Sequence, residues 1–344
     1  MTAERSRPRL VLYGVGQYGQ MMIRFAAKKG WPIVAAFNQA GPKVGQDIGR
    51  LAGLNSDYGV VVQDCEHADY SRVDADIGVV TMYDVLKTNL PAYRRLLGAG
   101  LNVICHGSES YHPHAANPEV AAEIDALARS KGVTFTGTGV WDMSRIWAAL
   151  LVSGVCDEIK SLHNSSLTIL DTFGERIIVM AGVGMTAEEF NEKIAGPGSN
   201  FGGQFYRLGP QLVLEALGYT VTGYTYRQEP YMLEAPHWCE ALKKQIPAGR
   251  CAGMRTVVVA TTSQGVVASA SMESRLKLRQ EETEHSSWQV KGNVLSPSVR
   301  IERDNGHYMQ ALSTFNRIKD VIAAPPGIQL MTQLGRPMKH LATQ

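Results

Sequence analysis

The sequence predicts an α/β fold: a Rossmann doubly wound parallel sheet, plus a second α+β domain with a mostly antiparallel sheet. Three observations carry this. Leu10 to Tyr13 is a short apolar run that leads into Gly14-Val15-Gly16-Gln17-Tyr18-Gly19, then into a helical pattern with Met21, Met22, Phe25 and Ala26 on one face. Strand, G-x-G-x-x-G and helix in that order form the dinucleotide fingerprint in its proper context. Strand-like and helix-like segments then alternate to about residue 150, the mark of a parallel sheet covered on both faces. Later, Val266 to Leu278 alternates Ala268, Ala270, Met272, Leu276 and Leu278 with polar neighbours, as a strand with one buried face does.

In order, Pro32–Asn38 is the second strand, and residues 41–69 read as irregular around the apolar run Val60–Val62. Asp76–Thr81 is a core strand with Met82, Tyr83 and Asp84 at its carboxyl end, and a helix follows to about Leu97. Asn102–Cys105 is another strand, running into His106-Gly107-Ser108-Glu109-Ser110-Tyr111. Asn117-Pro118 has the cap-and-proline signature of a helix start. That helix ends at Gly132, before the strand Val133–Thr136. Thr186 with Glu189 forms a capping box, and Gly203–Leu217 reads as an amphipathic helix. Strands are expected at Tyr219–Arg227, Arg255–Thr262 and Val266–Leu278, and a helix at His307–Ala323 ends before Pro325-Pro326. The expected division is a nucleotide-binding domain over residues 1–150 and a substrate-binding and oligomerisation domain over 151–306. The terminal helix, about 307–344, returns to the first.

Bulk properties narrow the function. A net charge of +2 gives no reason to expect a nucleic acid or an anionic membrane as partner. No apolar stretch approaches the roughly 18 residues of a membrane helix, and the polar start MTAERSRPR lacks the apolar core of a secretory signal. The 5 cysteines form no C-x-x-C pair, which predicts reduced thiols, a cytoplasmic setting and no metal site.

In the fingerprint, Gly14 permits the tight turn, Gly16 lets the backbone approach a pyrophosphate, and Gly19 lets helix and strand pack. Gln17 and Tyr18 open the helix, whose amino end favours an anion. At the end of the second strand, where NAD enzymes carry an acid, stand Asn38 and Gln39, with Lys43 soon after. No carboxylate is there to repel a 2′-phosphate, so NADP is the expected cofactor, with NAD left open. Thr81, Met82, Tyr83 and His106 follow core strands at the sheet's carboxyl edge, where ligands bind in such folds, and complete the expected cofactor-contacting set.

Five segments carry a family resemblance: the opening fingerprint, NVICHGSES at 102–110, TGTGV at 136–140, HSSWQVKGN at 285–293, and FNRIKDVIAAPPGI at 315–328. Together they resemble the 2,4-diaminopentanoate dehydrogenases and their relatives the native amine dehydrogenases, whose architecture is like that of dihydrodipicolinate reductase. The resemblance runs over nearly the whole chain. It implies NAD(P)H-dependent reductive amination of small ketones or aldehydes with ammonia, and the reverse deamination of primary amines. A homodimer is expected separately, because the open face of a large one-sided sheet commonly forms a dimer contact. Glu109 matches the family glutamate that holds ammonia beside the carbonyl. Asn316 matches an asparagine near the nicotinamide amide. Leu170, Phe173 and Met180 follow the second domain's first strand, where the family builds a pocket wall, and His285 and Trp288 match its His-x-x-Trp. Where the family usually has Asn-Pro-Gly, this chain has Trp141-Asp142-Met143, and Trp141 is expected to line the substrate cavity. A charged amino-acid substrate, as of a diaminopentanoate dehydrogenase, would want a basic residue such as Lys160 or Arg176. A carbonyl reductase of the same fold would instead want a Tyr or His proton donor.

Overall fold

A computed structural model describes residues 7–139, 141–171, 173–196 and 206–338. The described residues divide into two compact units. One is drawn from the chain up to Asp142 and from Tyr308 onward, the other from Met143–His307.

The first unit runs β1 (Leu10–Tyr13), α1 (Gln17–Lys29), β2 (Ile33–Asn38), α2 (Ile48–Leu51), β3 (Val62–Asp64), β4 (Ile77–Val80), α3 (Leu86–Gly98), β5 (Asn102–His106), α4 (Pro113–Ala116), α5 (Pro118–Lys131) and β6 (Thr134–Thr138). A π-helical segment, Asp142–Trp147, carries the chain onward. The second unit contains α6 (Ala148–Ser153), β7 (Ile159–Ile169), α7 (Glu175–Met180), α8 (Ala187–Lys193), α9 (Leu208–Ala216), β8 (Val221–Met232), β9 (His237–Cys239), β10 (Lys244–Ile246), β11 (Cys251–Thr262), β12 (Val267–Arg275), β13 (Glu284–Gly292) and β14 (Ser298–Arg303). The chain then returns through α10 (Gly306–Asn316), α11 (Ile318–Ala323) and β15 (Gly327–Ile328).

The first unit's seven-stranded sheet has the order β15-β6-β5-β4-β1-β2-β3, and all its pairings are parallel. Successive side chains of β1 point to opposite faces, and both faces are covered. Leu10 and Leu12 join the apolar layer of Met22, Ile23 and Phe315, whereas Val11 and Tyr13 join that of Tyr93, Leu96 and Ile124. Each such fully buried side chain contributes about 1.5–3 kcal/mol of hydrophobic stabilisation. Helix ends follow the local signals. Asn117 accepts the Val120 amide as N-cap of α5, and Gly132 closes that helix in the left-handed region at φ 68°.

The second unit's six-stranded sheet has the order β14-β13-β7-β12-β11-β8. Four of its five pairings are antiparallel, and β7 with β12 is parallel. Ala268, Ala270 and Met272 of β12 point inward as the alternation requires. The strand ends at Arg275, earlier than Leu278, opposite Gly253 of β11, whose φ is 138°. A Cβ there would lie 1.9 Å from the Ser274 carbonyl oxygen. The Thr186–Glu189 capping box opens α8. Of the helix expected over Gly203–Leu217, the structure shows Leu208–Ala216, and residues 203–205 lie outside the described residues. Among the described residues no helix is long and apolar enough to cross a membrane.

The expected terminal helix is two helices, because Arg317 interrupts it and turns inward. Arg317 is 1% exposed and its Nη2 donates to Asp142 Oδ1 at 3.0 Å and to the Gly335 carbonyl at 2.7 Å. Asp142 is itself fully buried and also accepts from Thr138. Removing one member of a buried pair leaves an uncompensated charge. Arg317→Met should therefore lower the unfolding free energy by about 3–5 kcal/mol in urea titrations. The double variant with Asp142→Asn should recover part of that loss.

Candidate active site

The glycine loop sits on β1 where the strand order reverses between β1 and β4, the ligand-binding switch point of such sheets. Its three glycines are present for different reasons. Gly14 has φ 98°, which only glycine adopts readily. A Cβ on Gly19 would stand 2.3 Å from the Gly14 carbonyl oxygen, so α1 can start directly against β1 only without one. Gly16 needs neither excuse: its φ is −79°, and a Cβ there would meet nothing within 4 Å. Internal packing does not demand glycine at 16, and the open space there leaves the backbone accessible to a ligand. Gly16 caps α1 with no side-chain bond and no acid in the first turn, leaving the helix amides to an anion.

The surrounding side chains hold this loop rigid. Thr81 is 7% exposed, and its hydroxyl donates to the Gly14 carbonyl at 2.5 Å. Asn38 accepts the Val15 amide at 3.1 Å and donates to the Gln39 carbonyl. Lys43 donates to the Val15 carbonyl at 2.7 Å and is half-buried, so a positive charge stands beside the fingerprint. Gln17 and Gln39 are exposed at the same edge, and Met82 and Tyr83 are half-buried there. These residues fit a dinucleotide whose pyrophosphate lies on the amino end of α1.

Glu109 stands one strand further along, after β5. It is half-buried, and its Oε2 accepts the Leu86 amide at 2.8 Å at the start of α3. Among the described residues Oε1 takes no hydrogen bond. Burial lifts the Glu109 pKa above its ordinary value; the Leu86 amide opposes the lift and the nearby Asp84 carboxylate adds to it. The result is a carboxyl group ready to exchange a proton, with one oxygen anchored.

Asp84 is the site residue that the sequence does not announce. It is 3% exposed, and burial pushes its pKa up. Its Oδ2 accepts Ser108 N, Ser110 N and Ser110 Oγ, each at 2.7 Å. An aspartate just past a strand reads as a turn former, and nothing in the local sequence marks its reach to another loop.

Two aromatic stacks flank the Glu109 loop, one through His106 and one through Tyr111. Tyr18 is buried, stacks on His106 with ring centroids 3.8 Å apart, and shares a 3.0 Å hydrogen bond with Thr314. Trp141 is 7% exposed and stacks on Tyr111 at 4.8 Å, so one face of its ring is spent inside the first unit. Gln310 donates to Tyr111 at 3.2 Å, and Ser313 to the Gly139 carbonyl at 2.8 Å. Gln310, Ser313 and Thr314 share one face of α10. Asn316 is about 200° round the helix from Thr314 at 100° per residue. It accepts from Lys29 at 3.4 Å instead, at the far end of α1 and about 18 Å along that helix from the glycine loop. The expected role of Asn316 at the nicotinamide is therefore corrected: Gln310 and Ser313 are the α10 residues at the sheet's carboxyl edge.

In the second unit, Leu170 is 3% exposed in an apolar cluster with Ile178, Leu233 and Leu276. It is core, which corrects its expected place in a pocket wall. Phe173 is half-buried and stacks on His307 at 5.5 Å. Met180, at the end of α7, is half-buried too. Half-buried His285 has Nδ1 2.9 Å from the Thr283 carbonyl, which places the ring proton on that nitrogen. Trp288 is 1% exposed and is core. Lys160 is exposed at the start of β7. Among the described residues no group of three or more His, Cys, Asp or Glu side chains is arranged to hold a metal ion.

Fold and site define the class first: a Rossmann nucleotide-binding unit joined to a mixed-sheet unit, as in dinucleotide-dependent dehydrogenases. The myo-inositol 2-dehydrogenase of Lactobacillus plantarum shares this fold at TM-score 0.59 and 14% identity, over 95% of this chain and 93% of that one. The chain belongs to the 2,4-diaminopentanoate dehydrogenase family, whose C-terminal domain matches residues 146–343. It is 25% identical to the 2,4-diaminopentanoate dehydrogenase of Acetoanaerobium sticklandii over 232 residues, 66% of this chain and 65% of that enzyme's length. An amine dehydrogenase from Mycobacterium smegmatis has a similar structure, with TM-score 0.86 and 29% identity over 98% of both chains.

The contrast between Gly16 and Gly19 is testable. Gly16→Ala should leave the melting temperature unchanged yet weaken dinucleotide binding about tenfold in fluorescence titrations, because its methyl group meets only the ligand. Gly19→Ala should cost about 1–3 kcal/mol of stability by forcing α1 off β1.

Proposed function

We propose that this protein is an NAD(P)H-dependent amine dehydrogenase that aminates small ketones or aldehydes with ammonia and deaminates primary amines in reverse. The observation that carries the reading is Glu109: a half-buried carboxyl with a raised pKa and, among the described residues, one oxygen without a hydrogen bond, on the sheet edge that holds the dinucleotide fingerprint. Family membership and the likeness to an amine dehydrogenase support it.

The chemistry divides as follows. The dinucleotide supplies the hydride when bound. Gly16, Gln17 and the α1 amides would hold its pyrophosphate, and Gly14 and Thr81 keep that loop in place. Glu109 attracts ammonium, accepts its proton, and leaves neutral ammonia to attack the carbonyl carbon. The same group, now an acid, donates that proton to the departing hydroxyl of the carbinolamine, so that water leaves. Its regenerated carboxylate then stabilises the iminium cation by charge. Phe173, Met180 and His285 are proposed to contact the substrate, an aromatic and an apolar side chain suiting a small alkyl or cyclic group.

NADP is the proposed cofactor. The end of β2 carries Asn38 and Gln39 instead of an acid, and the Lys43 ammonium beside the fingerprint loop supports a cofactor with an added phosphate. In one assay series, NADPH oxidation with a panel of ketones should require ammonium and should run faster with NADPH than with NADH. Glu109→Ala should lower ammonium-dependent kcat by about 100-fold or more while NADPH binding persists. Because burial raises the Glu109 pKa, kcat/KM for ammonium should fall as pH drops through a value above the ordinary 4.5. Turnover without ammonium would identify a carbonyl reductase instead.

A cytoplasmic homodimer is the proposed state. The thiols Cys65, Cys105, Cys156, Cys239 and Cys251 are all free. The six-stranded sheet has a second face lined by Ser165, Ser269, Val257 and Val259, half-buried or less covered than its core side. Sedimentation equilibrium is expected to give twice the chain mass, and a monomer mass would remove this reading.

A further inference from the structure

We propose that Asp84 is the positioning residue of this site, fixing the Gly107–Tyr111 loop so that Glu109 keeps its carboxylate against the start of α3. The inference rests on the reading of Glu109 as the proton-transferring group and adds to it the device that holds that group.

Three observations carry the proposal. First, Asp84 is a carboxylate buried to 3% exposure, and among the described residues no lysine or arginine pairs with it. A buried charge is costly unless donors replace its hydration. Its Oδ2 receives three, and all of them come from the Glu109 loop: the amides on either side of Glu109 and the Ser110 hydroxyl. Ser108 Oγ also donates to the Asp84 carbonyl at 3.0 Å.

Second, the loop is shaped to allow this approach. A Cβ on Gly107 would stand 2.4 Å from Asp84 Oδ2 and 2.0 Å from Ser110 Oγ. One on Gly137, in the neighbouring β6, would stand 2.2 Å from the Ser110 carbonyl oxygen. Neither glycine has a positive φ, so contact and not conformation is what excludes a side chain.

Third, the tie is reciprocal. Asp84 reaches from the β4–α3 connection into residues 108–110, and Glu109 reaches back to the Leu86 amide, two residues past Asp84. Behind Asp84, the Tyr93 hydroxyl donates to Oδ1 at 3.2 Å, and Asn89 donates to the Tyr83 carbonyl at 3.0 Å, so α3 braces the aspartate. Two carboxylates thus lock two loops, and one of them keeps an oxygen for chemistry.

The test compares Asp84→Ala with Asp84→Asn in the full-length protein. Alanine removes the acceptor of the three loop hydrogen bonds and of the one from Tyr93. Asparagine keeps an acceptor oxygen for them and turns its amide toward the Tyr93 hydroxyl, which can accept. With ketone, ammonium and NADPH, Asp84→Ala should lower kcat about 100-fold through misplacement of Glu109, with NADPH affinity held within about twofold. Asp84→Asn should recover most of that loss. A readout independent of turnover is amide hydrogen exchange at Leu86, whose protection depends on the Glu109 carboxylate. It should quicken about tenfold in Asp84→Ala and in Glu109→Ala, and stay slow in Asp84→Asn.

An Asp84→Ala protein with parental kcat, or with Leu86 still protected, overturns the proposal. So does an Asp84→Asn protein as impaired as the alanine variant. If Asp84→Ala fails to fold, Ser110→Ala removes one of the three donors and should quicken Leu86 exchange, and unchanged exchange there also overturns it. Absence of ammonium-dependent turnover in the parent would sink the amine-dehydrogenase reading alone, leaving the exchange measurement to decide the role of Asp84.

Discussion

The close approach of α1 to β1 is the constraint on which the first unit depends. A helix can begin immediately after a buried strand only if the turn is left-handed at its first residue and the helix lacks a side chain at its contact point. Gly14 and Gly19 meet these two needs, and Thr81 ties the turn to β4 through the Gly14 carbonyl. Once that geometry is set, the amino end of α1 points out over the sheet's carboxyl edge, and the connections after β4 and β5 converge on the same edge. The chemistry is placed by the sheet, and the loops only refine it.

Much of this was legible in the sequence because its causes are local. The fingerprint, the Asn117 cap and the Thr186–Glu189 box each depend on a few adjacent residues. The place of Glu109 after a core strand was legible, whereas the role proposed for it comes from the family resemblance alone. What was not legible depends on partners distant in the chain. Asp84 is ordinary until its reach to residues 108–110 is seen. Asn316 was misplaced because a motif match says nothing of helical phase, and two residues turn a side chain to the opposite face. Leu170 was misassigned because an apolar residue after a strand suits a pocket wall and a core equally.

The second sheet shows another limit. β7 and β13 bury Asn164, Ser166, Glu284 and Ser286 on the face where apolar residues would announce a strand. These polar groups satisfy one another across the sheet: Asn164 donates to Ser286 and to the Ser287 carbonyl, and Glu284 accepts the Ile169 and Gly306 amides. Such a face has lost the alternation that pattern reading relies on.

The lateral position of β15 carries a consequence for how the chain is made. β15 covers the outer side of β6, yet more than 180 residues separate the two strands in the chain, and Gly327 bonds to Val133. During synthesis the six earlier strands emerge with that border uncovered, and it stays so while the whole second unit is translated. A bare parallel edge invites pairing with other chains. The nascent protein therefore carries that uncovered edge until its last strand leaves the ribosome.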